Sequence, residues 1–381
     1  MPHLLVTNDF PPKIGGIQSY LWELWRRLPA SEVTVLTTAH RSGQVFDRDQ
    51  PFRIVRSRLS VLLPNRVLAR RIRRLAAEVG ATAVVLDPAL PLGVIGPRLG
   101  MPYAVVVHGS EVSVPGRMPI TRSMLARTVS HASLLIAAGG YPEREARHAV
   151  ADGVPFPPVV QIPPGVDVAR FHPLAAIDRA ATRARLRLPT QGPLVVSVSR
   201  LVPRKGMDTL IEASARLARD HPDLTVAIAG TGRDQARLRH LIRRFDAPVE
   251  LLGRVGDVDL PALYGCADVF AMCCRRRWRG LEQEGFGIVF LEAAACGVPS
   301  VAGDSGGAAE AVEDGETGFV VHAPSDPKAV AAALGRLLSD SGLVSQQGQA
   351  ARARVEAEFD YDILSRRLLG ALGGMAEVSR T

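Results

Sequence analysis

Glu284 and Glu292 bracket the stretch EGFGIVFLE, in which Gly285 and Gly287 lead into the apolar helical pattern VFLEAAACG. A glycine entrance with no side chains in the way leaves backbone N–H groups, and the positive end of a helix dipole, open to an anion. The chemistry this spacing suits is recognition of a sugar nucleotide. A diphosphate docks at the helix entrance, Glu292 just over one turn inside accepts from ribose hydroxyls, and Glu284 in the loop reaches the sugar. A plain helix whose two acids favour its N-terminal half accounts for the same segment. A second cluster weighs against that simpler account. In SRLVPRKG, the residues Ser199, Arg200, Arg204 and Lys205 follow the apolar run PLVVSV and precede a helix pattern that begins near Asp208. The run reads as a buried parallel strand. Strand, basic loop and helix form an arrangement that grips phosphate. Arg200 offers a planar fork to two oxygens, and Lys205 a compact ammonium to the charge of a leaving diphosphate. Of 46 basic residues only Lys13, Lys205 and Lys328 are lysine, which favours a chemical role for Lys205 over a solvated basic turn.

The elements that must position these groups alternate in type. HLLVT, the loop NDFPPKIGGIQS, the helical SYLWELWRRL, TVLTT, a helix around VLARRIRRLAAEVG, TAVVLD and YAVVVHG form one series. Short apolar runs between amphipathic helices predict parallel βα units in a doubly wound sheet. Ligands of such sheets bind beyond the carboxyl ends of the strands. Gly15 and Gly16, past the first strand, and His108, at the end of another, therefore face one crevice. The segment 159–173, VVQIPPGVDVARFHP, has the composition of a connector. A second series follows: PLVVSV, DTLIEASARLA, LTVAIAG, a helix through RLRHLIRRF, VELLGRV, ADVFAMCC and PSVAG. The expected fold is α/β, with two Rossmann-like domains, 1–165 and 166–360, facing across a cleft. The closing stretch in 361–381 has an apolar face that suits packing on either domain. A chain of 381 residues is comfortable for two cores of about 100–200 residues each.

Charge narrows the partners. The formal charge is +8; residues 1–165 hold 19 Lys and Arg against 11 Asp and Glu, and residues 166–381 hold 27 of each. An excess confined to one domain points to an anionic partner there, such as a phospholipid surface or a phosphorylated acceptor. Arg66, Arg70, Arg71, Arg73 and Arg74 share one predicted helix, with Arg53, Arg56 and Arg58 upstream. A basic amphipathic helix attracts anionic headgroups. Trp22, off the Tyr20, Leu21, Leu24 and Leu28 face, suits an interfacial anchor; a solvated arginine face with a partly buried Trp25 explains the pattern as well. Nucleic acid is disfavoured, because no aromatic platforms interleave with the arginines. Cys266, Cys273, Cys274 and Cys296 lack metal-ligand spacing, and a reducing cytoplasm is their simplest setting. The Asp-x-Asp matches at 47–49 and 257–259 read as loops, not as metal sites. The N-terminus shows no signal-peptide pattern. TAVVLDPALPLGVIGPRLG is broken by Asp87, three prolines and Arg98 before reaching the roughly 20 residues a membrane helix needs.

SRLVPRKG, the two-glutamate EGFGIVFLE, ACGVPSVAG, SGGAAE and the opening NDFPPKIGG together resemble the retaining glycosyltransferases of GT-B fold, family 4-like, over nearly the whole chain. VTNDFPP, GGIQSYL, His108-Gly109 with Glu111, and the FAM–CR–R pattern before EG-GIVFLEA are similar to the actinobacterial phosphatidylinositol mannoside mannosyltransferases. The resemblance implies that Arg200 and Lys205 neutralise a donor diphosphate, that Glu292 holds the ribose, and that Glu284 bonds the sugar hydroxyls. It places the backbone of Gly287, Ile288 and Val289 on the phosphates, His108 beside the anomeric centre, Gly15 and Gly16 in the loop approached by donor and acceptor, and Gly253 and Arg254 near the base. It also implies GDP-mannose as donor, an anionic lipid acceptor at the inner face of the plasma membrane, and retention without a protein nucleophile, metal or cofactor. One departure touches the acceptor side. After His108 the chain reads GSEVSVPGRM, with Ser110 and a Pro115–Gly116–Arg117 turn, where those enzymes carry another histidine and an apolar, aromatic stretch. CCRRRWRGLEQ is richer in arginine than a donor contact needs, and suits either acceptor phosphate contacts or a solvated rim. A soluble sugar or polysaccharide acceptor, with a UDP-, GDP- or ADP-sugar as donor, is the competing reading. A non-catalytic sugar-nucleotide or lipid-binding protein has no reason to assemble every donor element, and a phosphorylase would need a lysine for pyridoxal phosphate. The residues themselves leave base, sugar and oligomeric state open.

Overall fold

The computed structural model describes residues 1–151, 153–278 and 282–378, without the side chains of Ser110, Arg117 and 376–378. Ser110 and Arg117 as acceptor determinants, and residues 279–281 of the arginine-rich loop, thus lie outside what is described. The chain divides into two units, one of Met1–Gly165 with the residues from Tyr361 onward, the other Val166–Asp360.

The first unit is a parallel sheet of β1 (His3–Thr7), β2 (Val33–Thr37), β3 (Arg53–Arg56), β4 (Ala83–Asp87), β5 (Tyr103–Val107), β6 (Leu134–Ala137) and β7 (Val159–Gln161). Its order is β3-β2-β1-β4-β5-β6-β7. Strands β1, β2, β4 and β5 are buried at every position, as runs without polar alternation require when both faces of a sheet are covered. The second unit repeats the plan with β8 (Leu194–Val198), β9 (Thr225–Ala229), β10 (Val249–Gly253), β11 (Val269–Met272), β12 (Ser300–Gly303) and β13 (Gly318–Val321), in the order β10-β9-β8-β11-β12-β13. In each sheet the chain reverses its direction of growth between two central strands, β1 and β4 or β8 and β11. A crevice opens at the carboxyl ends of such a pair.

Three sequence readings need correction. The stretch 159–173 is not all connector, because Val159–Gln161 pairs with Leu135–Ala137 as the edge strand β7. Of the two Asp-x-Asp segments, 257–259 lies in a turn, as read, whereas 47–49 closes a helix instead of forming a loop. Asp47 lies in the helix Gly43–Arg48 and forks onto Arg56, and Asp259 precedes the helix Leu260–Gly265 and pairs with Arg185. Trp25 is wholly buried, not partly, with its indole N–H donated to His3 at 3.0 Å.

The closing helix, Tyr361–Val378, joins the first unit. Tyr361, Leu364, Leu368, Leu372 and Met375 recur at helical spacing and enter the core that holds Tyr20, Leu24 and Trp25. Ser365 donates to the Leu24 carbonyl at 3.2 Å, and Arg27 pairs with Asp362 at 2.7 Å. Among the described residues no helix is long and apolar enough to cross a membrane, and no cluster of His, Cys, Asp and Glu is spaced for a metal. All four cysteines are free and buried.

Candidate active site

In the second unit, the carboxyl end of β8 runs through Ser199 and Arg200 into a tight turn, Pro203–Lys205, and then the helix Met207–Leu217. Gly206 makes this turn possible. Its φ is 69°, and a Cβ there would lie 1.9 Å from the Cys273 carbonyl at the end of β11. The loop is thereby pressed against the neighbouring central strand, at the switch point. Arg200 is exposed, and its guanidinium makes no hydrogen bond or ion pair with the described residues. Lys205 is different: it is buried, and its ammonium donates to Glu284 at 2.7 Å. Arg204 donates to the same carboxylate oxygen at 2.8 Å. Burial alone would raise the Glu284 carboxyl, but the charges of Lys205 and Arg204 outweigh it and hold it below the usual value. Lys205, assigned from sequence to a diphosphate alone, is therefore also the counter-ion that keeps Glu284 ionised. Glu282 also approaches Arg204, at 3.9 Å, but is itself paired with Arg277 at 2.9 Å, so the Lys205–Arg204–Glu284 group keeps a net positive charge.

The chain after Glu284 reaches the helix Ile288–Ala295, capped by Gly287 at φ 90°. The Phe290 N–H already donates to the Gly287 carbonyl at 3.0 Å, while the N–H groups ahead of it, at Ile288 and Val289, have no intrahelical carbonyl to reach. Glu292 lies on this helix, and its Oε2 accepts from the Tyr264 hydroxyl at 2.6 Å. Burial raises its carboxyl pKa. Gly253 ends β10 at φ 70° with open space where a Cβ would stand, and the next residue, Arg254, is exposed.

The first unit gathers its own cluster at the carboxyl ends of β1, β4 and β5. His108 follows β5, and its Nε2 donates to Asp87 at 2.5 Å. Asp87, wholly buried, accepts from the Thr7 hydroxyl at 2.6 Å through its other oxygen. Glu111 turns back to accept from the backbone N–H groups of His108 and Gly109. The Tyr20 ring stands edge-on to the imidazole, 5.5 Å between centroids. Burial lowers the imidazole pKa, yet Asp87, then Glu111 and Asp9, reverse the effect and raise it above 6.5. Asp9 is pushed up by burial and by Asp87, and it accepts from Gln18 at 2.7 Å. Gly15 caps, and Gly16 opens, the helix that carries Gln18 and Tyr20.

Elsewhere on this unit the helix Arg66–Glu78 buries Leu68, Ala69, Ile72, Leu75 and Ala76. Arg66, Arg70, Arg73 and Arg74 are exposed, whereas Arg71 is half-buried and donates to the Arg56 carbonyl at 3.3 Å. A depression of ≈ 550 Å³ is lined by Arg58, Leu59, Val67, Arg70, Arg71 and Arg74, among others. Leu59, Val61, Leu63 and Val67 are exposed beside it. Trp22 does not protrude as a free anchor: it is half-buried, donates to Gln50 at 2.7 Å and packs on Phe46.

Residues 14–170 match the family described as Glycosyltransferase Family 4, and residues 178–354 match Glycosyl transferases group 1. The chain is 40% identical over 383 residues to the GDP-mannose-dependent alpha-(1-6)-phosphatidylinositol monomannoside mannosyltransferase of Mycobacterium tuberculosis, covering 97% of this chain and 98% of that one. This protein belongs to the family 4, group 1 glycosyltransferases. A Corynebacterium glutamicum relative, the GDP-mannose-dependent monoacylated alpha-(1-6)-phosphatidylinositol monomannoside mannosyltransferase, is 36% identical, with 97% of each chain covered. The crystal structure of Anabaena HepE in complex with UDP superposes with a TM-score of 0.82 at 21% identity, covering 98% of this chain and 100% of that one. The glycosyltransferase fold is thus GT-B.

Within this glycosyltransferase the structure draws Arg200, Lys205, Glu284 and Gly287–Val289 around one switch point, and at the other sets His108 against Tyr20 of the helix that Gly15 caps and Gly16 opens. Sequence reasoning missed Asp87, Thr7, Asp9 and Tyr264. Asp87 did carry a signal, as a carboxylate closing the otherwise apolar β4, at the end of the strand where ligands bind.

Proposed function

We propose that this glycosyltransferase transfers mannose from GDP-mannose to a phosphatidylinositol mannoside-type lipid, with retention at the anomeric carbon. The full-length identity to mannosyltransferases of that description carries the reading. Arg200, Lys205 and the N–H groups at Gly287–Val289 take the growing charge of the leaving diphosphate, a task suited to preorganised donors and requiring no protein nucleophile. The departing phosphate oxygen accepts the proton of the attacking acceptor hydroxyl on the same face. Glu284, kept ionised by Lys205 and Arg204, accepts from the sugar hydroxyls, and Glu292 from the ribose. His108, charged through Asp87, donates to the sugar's primary hydroxyl. Gly253 and Arg254 lie by the base. We assign charge neutralisation to these side chains, with no metal or other cofactor required.

The basic helix supports a peripheral site on the inner face of the plasma membrane. Reversing the exposed Arg70, Arg73 and Arg74 to Glu removes at least three attractions of about 1 kcal/mol each, so binding to phosphatidylinositol-containing vesicles is expected to fall by ~10²-fold. Co-sedimentation that is unchanged in the triple variant would end the membrane assignment. The activity itself is tested by label transfer from GDP-mannose and other nucleotide sugars, with inositol phospholipid and soluble-glycan acceptors side by side. Label from GDP-mannose in the lipid is the expected result; label in soluble glycans alone would retain the donor site and discard the acceptor.

A further inference from the structure

Tyr264 lies on the short helix Leu260–Gly265 with no exposed surface. Its ring is locked in an aromatic row, 5.9 Å from Phe171 and 5.5 Å from Phe270 between centroids. Phe270 in turn packs edge-on at 5.6 Å against Phe290, which sits on the same helix as Glu292. One row of rings therefore fixes the phenol and the helix that bears the carboxylate. A buried phenol normally finds a partner for its hydroxyl, and here the partner is Glu292 Oε2, at the short distance of a charge-assisted bond. The other oxygen, Oε1, accepts no hydrogen bond from the described residues and is not sealed in the interior.

We propose that Tyr264 is a positioning residue for nucleotide recognition: it pins one oxygen of Glu292 and thereby presents the other to the vicinal hydroxyls of a ribose. The proposal rests on the reading of Glu292 as the ribose ligand. A carboxylate on a flexible side chain loses rotamer freedom when it binds a diol, and a pre-formed bond removes part of that cost before the ligand arrives. The phenol also acts on charge. Burial raises the Glu292 carboxyl and Asp257 adds to this, while the Tyr264 bond and then the Arg170 guanidinium oppose it. The Cys296 thiol, at the end of the same helix, is pushed up to about 12 by burial and then by Glu292, and stays neutral. The Tyr264 hydroxyl is held far above 10 by burial, so it donates throughout the working range.

The test is calorimetric binding of GDP and 2′,3′-dideoxy-GDP to the full chain. The wild type is expected to prefer GDP. Tyr264→Phe keeps the ring row and removes only the donor; GDP affinity is expected to fall by about 10- to 100-fold, as for one charge-assisted hydrogen bond, and dideoxy-GDP affinity by less than about twofold. In the same variant the acid limb of GDP binding moves to higher pH, because the bond that opposed the raised carboxyl is gone. Glu292→Gln removes the preference for GDP, and adding Tyr264→Phe to it costs little more, the signature of two residues acting as one. Equal losses for both nucleotides in Tyr264→Phe would make the phenol merely structural and overturn the proposal. A wild type indifferent to the ribose hydroxyls would overturn it differently, by removing Glu292 as the ribose ligand.

Discussion

Replacing Lys205 by alanine is expected to lower kcat/KM for the donor by at least about 10³-fold, because two functions vanish together. The first is a preorganised positive charge at the leaving diphosphate, where removal of a single donor commonly costs about 10²–10³-fold. The second is the state of Glu284. Without the ammonium, the buried carboxylate keeps only Arg204, and breaking a buried pair costs about 3–5 kcal/mol; the remaining guanidinium puts this case near the lower end. The fold loosens as the activity disappears, and chemical denaturation reads that loss. The pH dependence separates the two effects. The Glu284 carboxyl is held below its unfolded value, so its contribution to stability is present above pH ~4.3 and is lost as pH falls through the folded pKa. The gap in stability between wild type and Lys205→Ala should therefore narrow in acid. Lys205→Met combined with Glu284→Gln removes both charges, and should recover much of the stability while remaining inactive. A double variant that transfers sugar at the wild-type rate would dismiss the charge plan.

Asp87→Asn is expected to reduce turnover by about 10²-fold with only a small change in donor affinity, because it alters the charge of His108 and leaves its place. Asp87 receives the imidazole N–H on one oxygen and the Thr7 hydroxyl on the other. With asparagine, the carboxamide oxygen can keep Thr7, and its NH₂ then faces an imidazole nitrogen that must accept, so the ring becomes neutral. The raised pKa of His108 gives stability that is fully present below pH ~6.5 and is lost as pH rises through the folded value. The variant should accordingly be most destabilised in mild acid and approach the wild type above neutrality. Imidazole resonances followed by NMR should show the His108 titration moving downward in Asp87→Asn. A titration that does not move would mean that the pair does not set the charge.

The central strands could be read from the sequence because a parallel sheet covered on both faces demands unbroken apolar runs, and HLLVT, YAVVVHG and LTVAIAG supply them. Edge strands carry no such demand: β3 reads RIVR and β7 is three residues before two prolines, so both escaped, as did the short buried β6, LLIA, although the edge β10 was legible in VELLGRV. The site followed the same division. Single motifs pointed to Arg200, Lys205, Glu284 and Glu292, the end of a strand pointed to His108, and the resemblance gave His108 its role. The partners that set their charge stand far off in sequence, as Lys205 does from Glu284 and His108 from Asp87, and only sheet order brings them together. Trp22 was misjudged for a related reason, since Phe46 and Gln50, which cover it, come with the short, unrecognised helix Gly43–Arg48.

The final helix completes the core of the first unit, so that core cannot close while the chain is being made. Leu364, Leu368 and Leu372 are the last part of the surface that covers Tyr20, Leu24 and Trp25, and they are synthesised after all of Val166–Asp360. At ~5–20 residues per second, those roughly 200 intervening residues take about 10–40 s, during which an apolar face waits on the ribosome. A fragment ending at Gly165 would keep that face exposed permanently. Any exchange of halves between enzymes of this design must therefore carry the last helix along with the first unit, as one inherited piece.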